Sequence, residues 1–90
     1  MTMIRIGPHT ELNEVTIDGN PEPKRQTPMW GRGRLDHVGL QAASATSFET
    51  IRQRLIVHGA SDVNVNDFGA VRSLFFRDPD GLEGEVLVAK

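Results

Sequence analysis

The chain has no cysteine and no tyrosine, and a single tryptophan. Without cysteine, disulfides and thiolate metal sites are excluded, and redox chemistry says nothing about the compartment. An excess of charge of one sign is also lacking: ten Lys and Arg against twelve Asp and Glu leave a formal charge of −2. That balance gives no electrostatic drive toward nucleic acid or an anionic membrane. No apolar run approaches the roughly 20 residues of a membrane span. The opening MTMIRIGPHTE has neither the basic stretch nor the long apolar stretch of a signal peptide. These absences lead us to expect a soluble, cytoplasmic protein with no nucleic-acid or membrane partner. Length is short too. Ninety residues make one domain at most, and so short a chain buries only roughly two thirds of its unfolded surface. Small chains make up the deficit with disulfides, a metal or a partner chain. Here a His/carboxylate metal site or oligomerisation remains.

What is present is unevenly distributed. Residues 3–18 hold two short apolar patches, Met3–Ile6 and Val15–Ile17, each a candidate strand, punctuated by Gly7-Pro8 and by Asp18-Gly19-Asn20-Pro21. Residues 19–34, GNPEPKRQTPMWGRGR, have three prolines, three glycines and a cluster of basic residues, the composition of an extended linker. Its GRGR end and Lys24-Arg25 are thin grounds for a nucleic-acid tail in an acidic protein.

Order rises after Arg34. Residues 35–42, LDHVGLQA, alternate as a half-buried strand does, with Val38, Leu40 and Ala42 on one face and His37, Gly39 and Gln41 on the other. Thr46-Ser47-Phe48-Glu49 fits a capping box with Thr46 as N-cap. Phe48, Ile51, Leu55 and Ile56 follow at helical spacing, with His58 in the last turn and Gly59 as a natural terminator. The spacing predicts an amphipathic helix over residues 47–58. A weak strand is expected around Val63–Val65, a strong one over residues 71–77 and a closing one over residues 82–88. Between the last two, Asp78-Pro79-Asp80-Gly81 is a tight turn, with proline presetting φ and glycine ending it. The order is β, α, β, β, β, an α+β module with a helix on one side of a mixed sheet.

The closing strand poses a question. Period two puts Leu82, Gly84, Val86 and Val88 under the helix, and Glu83, Glu85 and Leu87 on the opposite face. Alternation alone reads that face as solvent, because Glu is rarely buried unpaired. His37 also lies on the non-apolar face of its strand. If the first and last strands share a sheet, imidazole and carboxylate share a face. Such a pair is commonly a hydrogen-bonded structural one; it also suits Zn²⁺, Ni²⁺, Fe²⁺ or Mn²⁺, whose shells mix N and O donors.

Over residues 34–88 the chain resembles one module of the vicinal oxygen chelate superfamily, which includes glyoxalase I, bleomycin and fosfomycin resistance proteins, methylmalonyl-CoA epimerase and extradiol dioxygenases. The likeness is carried by LDHVGLQA, the capped helix ending in His58-Gly59, and SLFFRDPDGLEGEV. The resemblance implies a single βαβββ module with a curved mixed sheet, residues 34–90, paired with a second copy as a homodimer. Residues 1–33 then read as the end of a preceding module plus a linker. It implies that His37 and Glu85 are metal ligands, with Glu85 doubling as catalytic base, and that Glu83 is solvated at the rim. Leu82 stands where the family commonly has Asn. The family builds its cup between two modules, and one complete module is present here. A two-fold pair would supply two His and two Glu around one divalent metal; in a longer chain a His of the missing half would serve.

The activity implied is Lewis-acid catalysis of lyase, isomerase or dioxygenase type on a small oxygen-chelating substrate. Gln41 and Phe75 are candidate cup residues. Arg72 and Arg77 are candidate anion-binding residues, more commonly surface charges or partners of Asp78 and Asp80. His9 and Glu11 share a strand face and are conceivable ligands. A second reading is a metal-free drug-binding and dimerisation module of the bleomycin-resistance type. A third is an inactive fragment.

Overall fold

The computed structural model describes residues 2–15, 17–21, 33, 35–61 and 64–90. The chain begins with a hairpin, β1 (Thr2–Arg5) and β2 (Glu11–Glu14), paired antiparallel as a sheet of its own. The reversal runs through Gly7 at φ 79° and closes with the Ile6 amide on the Thr10 carbonyl. The expected second strand at Val15–Ile17 is thus displaced: the strand is Glu11–Glu14, because the Gly7-Pro8 reversal fixes which residues return opposite β1. The basic linker, Lys24-Arg25 included, lies outside the described residues apart from Gly33 and its first three residues.

The remainder follows the expected β, α, β, β, β order: β3 (Val38–Gln41), α1 (Ala45–Val57), β4 (Asn66–Asp67), β5 (Val71–Arg77) and β6 (Glu83–Ala89). The sheet order is β3-β6-β5-β4, with β3 parallel to β6 and the other pairs antiparallel. The short expected strand falls at Asn66–Asp67, after Val65, where Asn66 pairs with Ser73; Val63 lies outside the described residues.

The helix starts two residues earlier than its sequence signal. Ser44 is the N-cap, its hydroxyl accepting from the Ser47 amide at 3.0 Å. Thr46 is already inside the helix, and its carbonyl accepts from the Thr50 hydroxyl. Glu49 does not reach back to a cap; it pairs forward with Arg52 and Gln53 on the exposed face. Both Ser44 and Thr46 are competent capping residues, and the end of β3 at Gln41 leaves room for the earlier one. The other end matches its signal. Gly59 (φ 66°) donates to the Ile56 carbonyl and Ala60 to that of Leu55, a Schellman closure that needs the left-handed glycine.

The helix buries its stripe on one sheet face. Phe48 packs with Ala42, Leu74, Val86 and Val88, flanked by Ile51, Leu55 and Phe76. Asp78 builds the β5–β6 turn: its carboxylate accepts from the Asp80 and Leu82 amides, and its carbonyl accepts from Gly81 at φ 86°. That turn sets the register in which Phe75 faces Glu85 and Arg77 faces Glu83.

Candidate metal centre on the open sheet face

Three strands converge on Glu85. In β6 it is the register partner of Phe75 in β5 and of Gly39 in β3. Directly paired residues point to the same side of a sheet, so Glu85, Phe75 and the His37/Gly39/Gln41 edge share the face away from α1. His37 immediately precedes β3, and its Nε2 lies 3.4 Å from Glu85 Oε1. Its ring meets Phe75 edge to face at 5.6 Å and 69°. The sequence left open which of Phe75 and Phe76 faces the cup; register puts Phe75 there and Phe76 on the helix side, packed against the core. Gly39 packs closely against the neighbouring strand: a Cβ there would press on Leu87 Cδ1 at 3.2 Å and meet Glu85 Oε1 at an ordinary contact distance of 3.8 Å.

Asp36 completes the group, and sequence reasoning passed over it. Its Oδ2 lies 2.6 Å from His37 Nδ1; the Asp-His dipeptide was the available signal. That hydrogen bond raises the His37 pKa above its ordinary 6.5, partial burial opposes it, and the charges of Asp36 and Glu85 reinforce it. Glu85 keeps only 12% of its side-chain surface exposed, against 35% for His37.

Glu83 is not the solvated rim carboxylate expected from its place in the strand. Its side chain is 9% exposed and lies 3.3 Å from Arg77 Nη2. β6 is an inner strand flanked by β3 and β5, and the register sets Arg77 directly across from Glu83. Arg77 therefore pairs with Glu83 rather than with the turn aspartates. Arg72 turns to the helix side, its guanidinium 5.8 Å from the Phe48 ring centre. Gln41 is exposed at the β3 edge of the cup face. His9 is exposed in the hairpin reversal, and Glu11 sits 3.9 Å from Arg5. Among the described residues no cluster of three or more His, Cys, Asp or Glu could hold a metal. A surface concavity of about 570 Å³, lined in part by Ser61, Phe75, Arg77 and Glu83, adjoins the group, but His37 and Glu85 do not line it.

The pair fits half of a metal shell. Nitrogen and oxygen ligands bonded at about 2.1 Å to one tetrahedral ion stand about 3.4 Å apart, which is the His37–Glu85 separation. An imidazole and a carboxylate are also the N/O set that Zn²⁺, Ni²⁺, Fe²⁺ and Mn²⁺ accept.

Among the described residues no helix is long and apolar enough to cross a membrane. No protein-family model and no curated protein matches the chain. Among solved structures it is similar to a glyoxylase/bleomycin resistance protein/dioxygenase domain from Frankia sp. EAN1pec, at 27% identity and a TM-score of 0.59. The match covers 66% of this chain and 44% of that one, so the chain corresponds to less than half of that protein's length. One helix against a mixed sheet in βαβββ order, with this likeness, places the chain's fold in the vicinal oxygen chelate superfamily, among the glyoxalase/bleomycin resistance/dioxygenase domains.

Proposed function

We propose that His37 and Glu85 are two ligands of a divalent metal, and that the protein acts on a small oxygen-chelating substrate in a cup completed by a second module. The observation that carries this reading is the 3.4 Å approach of His37 Nε2 to Glu85 Oε1 across neighbouring strands. Such an ion, when bound, supplies Lewis-acid stabilisation of negative charge developing on the substrate's vicinal oxygens. The chain's own residues do the rest. Glu85, little exposed and held by an inner strand, would serve as base toward the substrate carbon only when its carboxylate is released from the ion. Phe75, 40% exposed beside the pair, forms an apolar wall that limits water. Reactions of lyase, isomerase and dioxygenase type all suit this arrangement.

Two ligands leave the shell incomplete, and the described residues offer no third. A two-fold pair of chains supplies a second His37 and Glu85, and among the described residues no helix packs on the sheet face away from α1. A metal-free ligand-binding dimer is the second reading, favoured by the same missing third ligand.

Elemental analysis of the purified chain, beside His37→Ala and Glu85→Ala and with mass by light scattering, separates these readings. We expect about half an equivalent of Zn, Ni, Fe or Mn per chain in a two-fold dimer, lost in both variants. A metal-free dimer sinks the catalytic reading and leaves the binding module standing.

A further inference from the structure

His37 has a carboxylate at each ring nitrogen, and the two contacts are unequal. Asp36 Oδ2 is 2.6 Å from Nδ1, while Glu85 Oε1 is 3.4 Å from Nε2. The first is a short charge-assisted hydrogen bond; the second lies beyond the ordinary N–H···O range. A neutral imidazole has one proton to place, and the shorter contact takes it. The proton then sits on Nδ1, and the Nε2 lone pair points toward the Glu85 carboxylate. Asp36 makes no competing use of itself: its Oδ1 is buried and has no hydrogen-bond partner among the described residues. It caps no helix and forms no ion pair with Arg or Lys there.

We propose that Asp36 is a positioning residue, which fixes His37 as the Nδ1–H tautomer so that Nε2 is presented beside Glu85 as an electron-pair donor. This rests on the metal reading above for its purpose, but not for its geometry. Two lone-pair donors held 3.4 Å apart repel unless a proton or a metal cation lies between them, and once the ring is neutral only the cation remains. The Asp36 side chain is 39% exposed as a whole, yet its buried Oδ1 is left without a hydrogen-bond partner among the described residues, a cost to the fold that ordering the ligand for that cation accounts for. Outer carboxylates of this kind commonly fix the tautomer of a ligating His and raise its basicity.

The test uses the full chain, metal-free at alkaline pH, where the ring is neutral. Long-range ¹H–¹⁵N spectra read which ring nitrogen of His37 holds the proton. The wild type should show Nδ1–H. Asp36→Ala and the isosteric Asp36→Asn should lose that preference while the α1 amide signals stay in place. Zn²⁺ titration of the same three proteins should show roughly a 10- to 100-fold loss of affinity in the two variants. A wild-type proton on Nε2, or a tautomer unmoved in both variants, overturns the assignment. A wild type that ignores Zn²⁺ but keeps an Asp36-dependent Nδ1–H form refutes the metal reading instead and supports the role of Asp36.

Discussion

Gly84 and Phe76 face each other across β6 and β5, and the Phe76 ring fills the space that a side chain on Gly84 would need. A Cβ at Gly84 would overlap three ring carbons, Cζ, Cε1 and Cε2. The glycine between the two glutamates is therefore a packing requirement of the helix-side core, against which Phe76 packs. Gly84→Ala should destabilise the chain by about 1–3 kcal/mol through overpacking. Urea denaturation followed by far-UV circular dichroism measures this. Combining it with Phe76→Leu should cost less than the two changes summed, since both act on one contact. Additive costs would mean that the ring does not occupy that space.

The two candidate caps of α1 give opposite expectations. Ser44→Ala removes the acceptor of the Ser47 amide and should cost about 1 kcal/mol. Thr46→Ala removes no cap, sits inside the helix and exchanges a β-branched residue for a better helix former. Its effect should stay within about 0.5 kcal/mol. Thermal midpoints of the two variants decide it, and a larger loss at Thr46 would place the helix start where the sequence signal put it.

His37 links pH to stability and to metal loading with opposite signs. Its folded pKa is raised above 6.5, first by the Asp36 hydrogen bond and further by the Asp36 and Glu85 charges, with desolvation opposing. A raised imidazole pKa stabilises the fold of the metal-free chain fully below the unfolded value. The contribution is lost as pH rises through the raised folded value. Denaturant midpoints of the metal-free chain should therefore fall over that window, and those of His37→Ala should not. Metal ligation needs the unprotonated ring, so Zn²⁺ affinity should climb through the same window. A Zn²⁺ affinity indifferent to pH there would remove His37 from the ligand set.

Much of the module was written locally. The alternation in residues 38–42, the apolar stripe of Phe48, Ile51 and Leu55, Gly59 and the Asp78–Gly81 turn each depend on neighbours in sequence, and each survives in the structure, while Leu35–His37, read as part of the same strand, precede it. The β, α, β, β, β order follows from them. Resemblance then singled out His37 and Glu85, and the parallel pairing of β3 with β6 sets them 3.4 Å apart.

Other features depended on strand order and register, which join residues far apart in the chain. Alternation gives Glu83 a face but not its neighbours. Only the placing of β6 between β3 and β5, with Arg77 opposite, makes Glu83 a buried paired carboxylate rather than a solvated one. Register likewise chose Phe75 over Phe76 for the cup. Ser44 prevailed over Thr46 because two good caps compete locally and the approach from β3 selects between them. Sequence periodicity fixed which residues share a side. Cross-strand pairing decided which of them touch, because contacts at long range are set by the folded sheet as a whole.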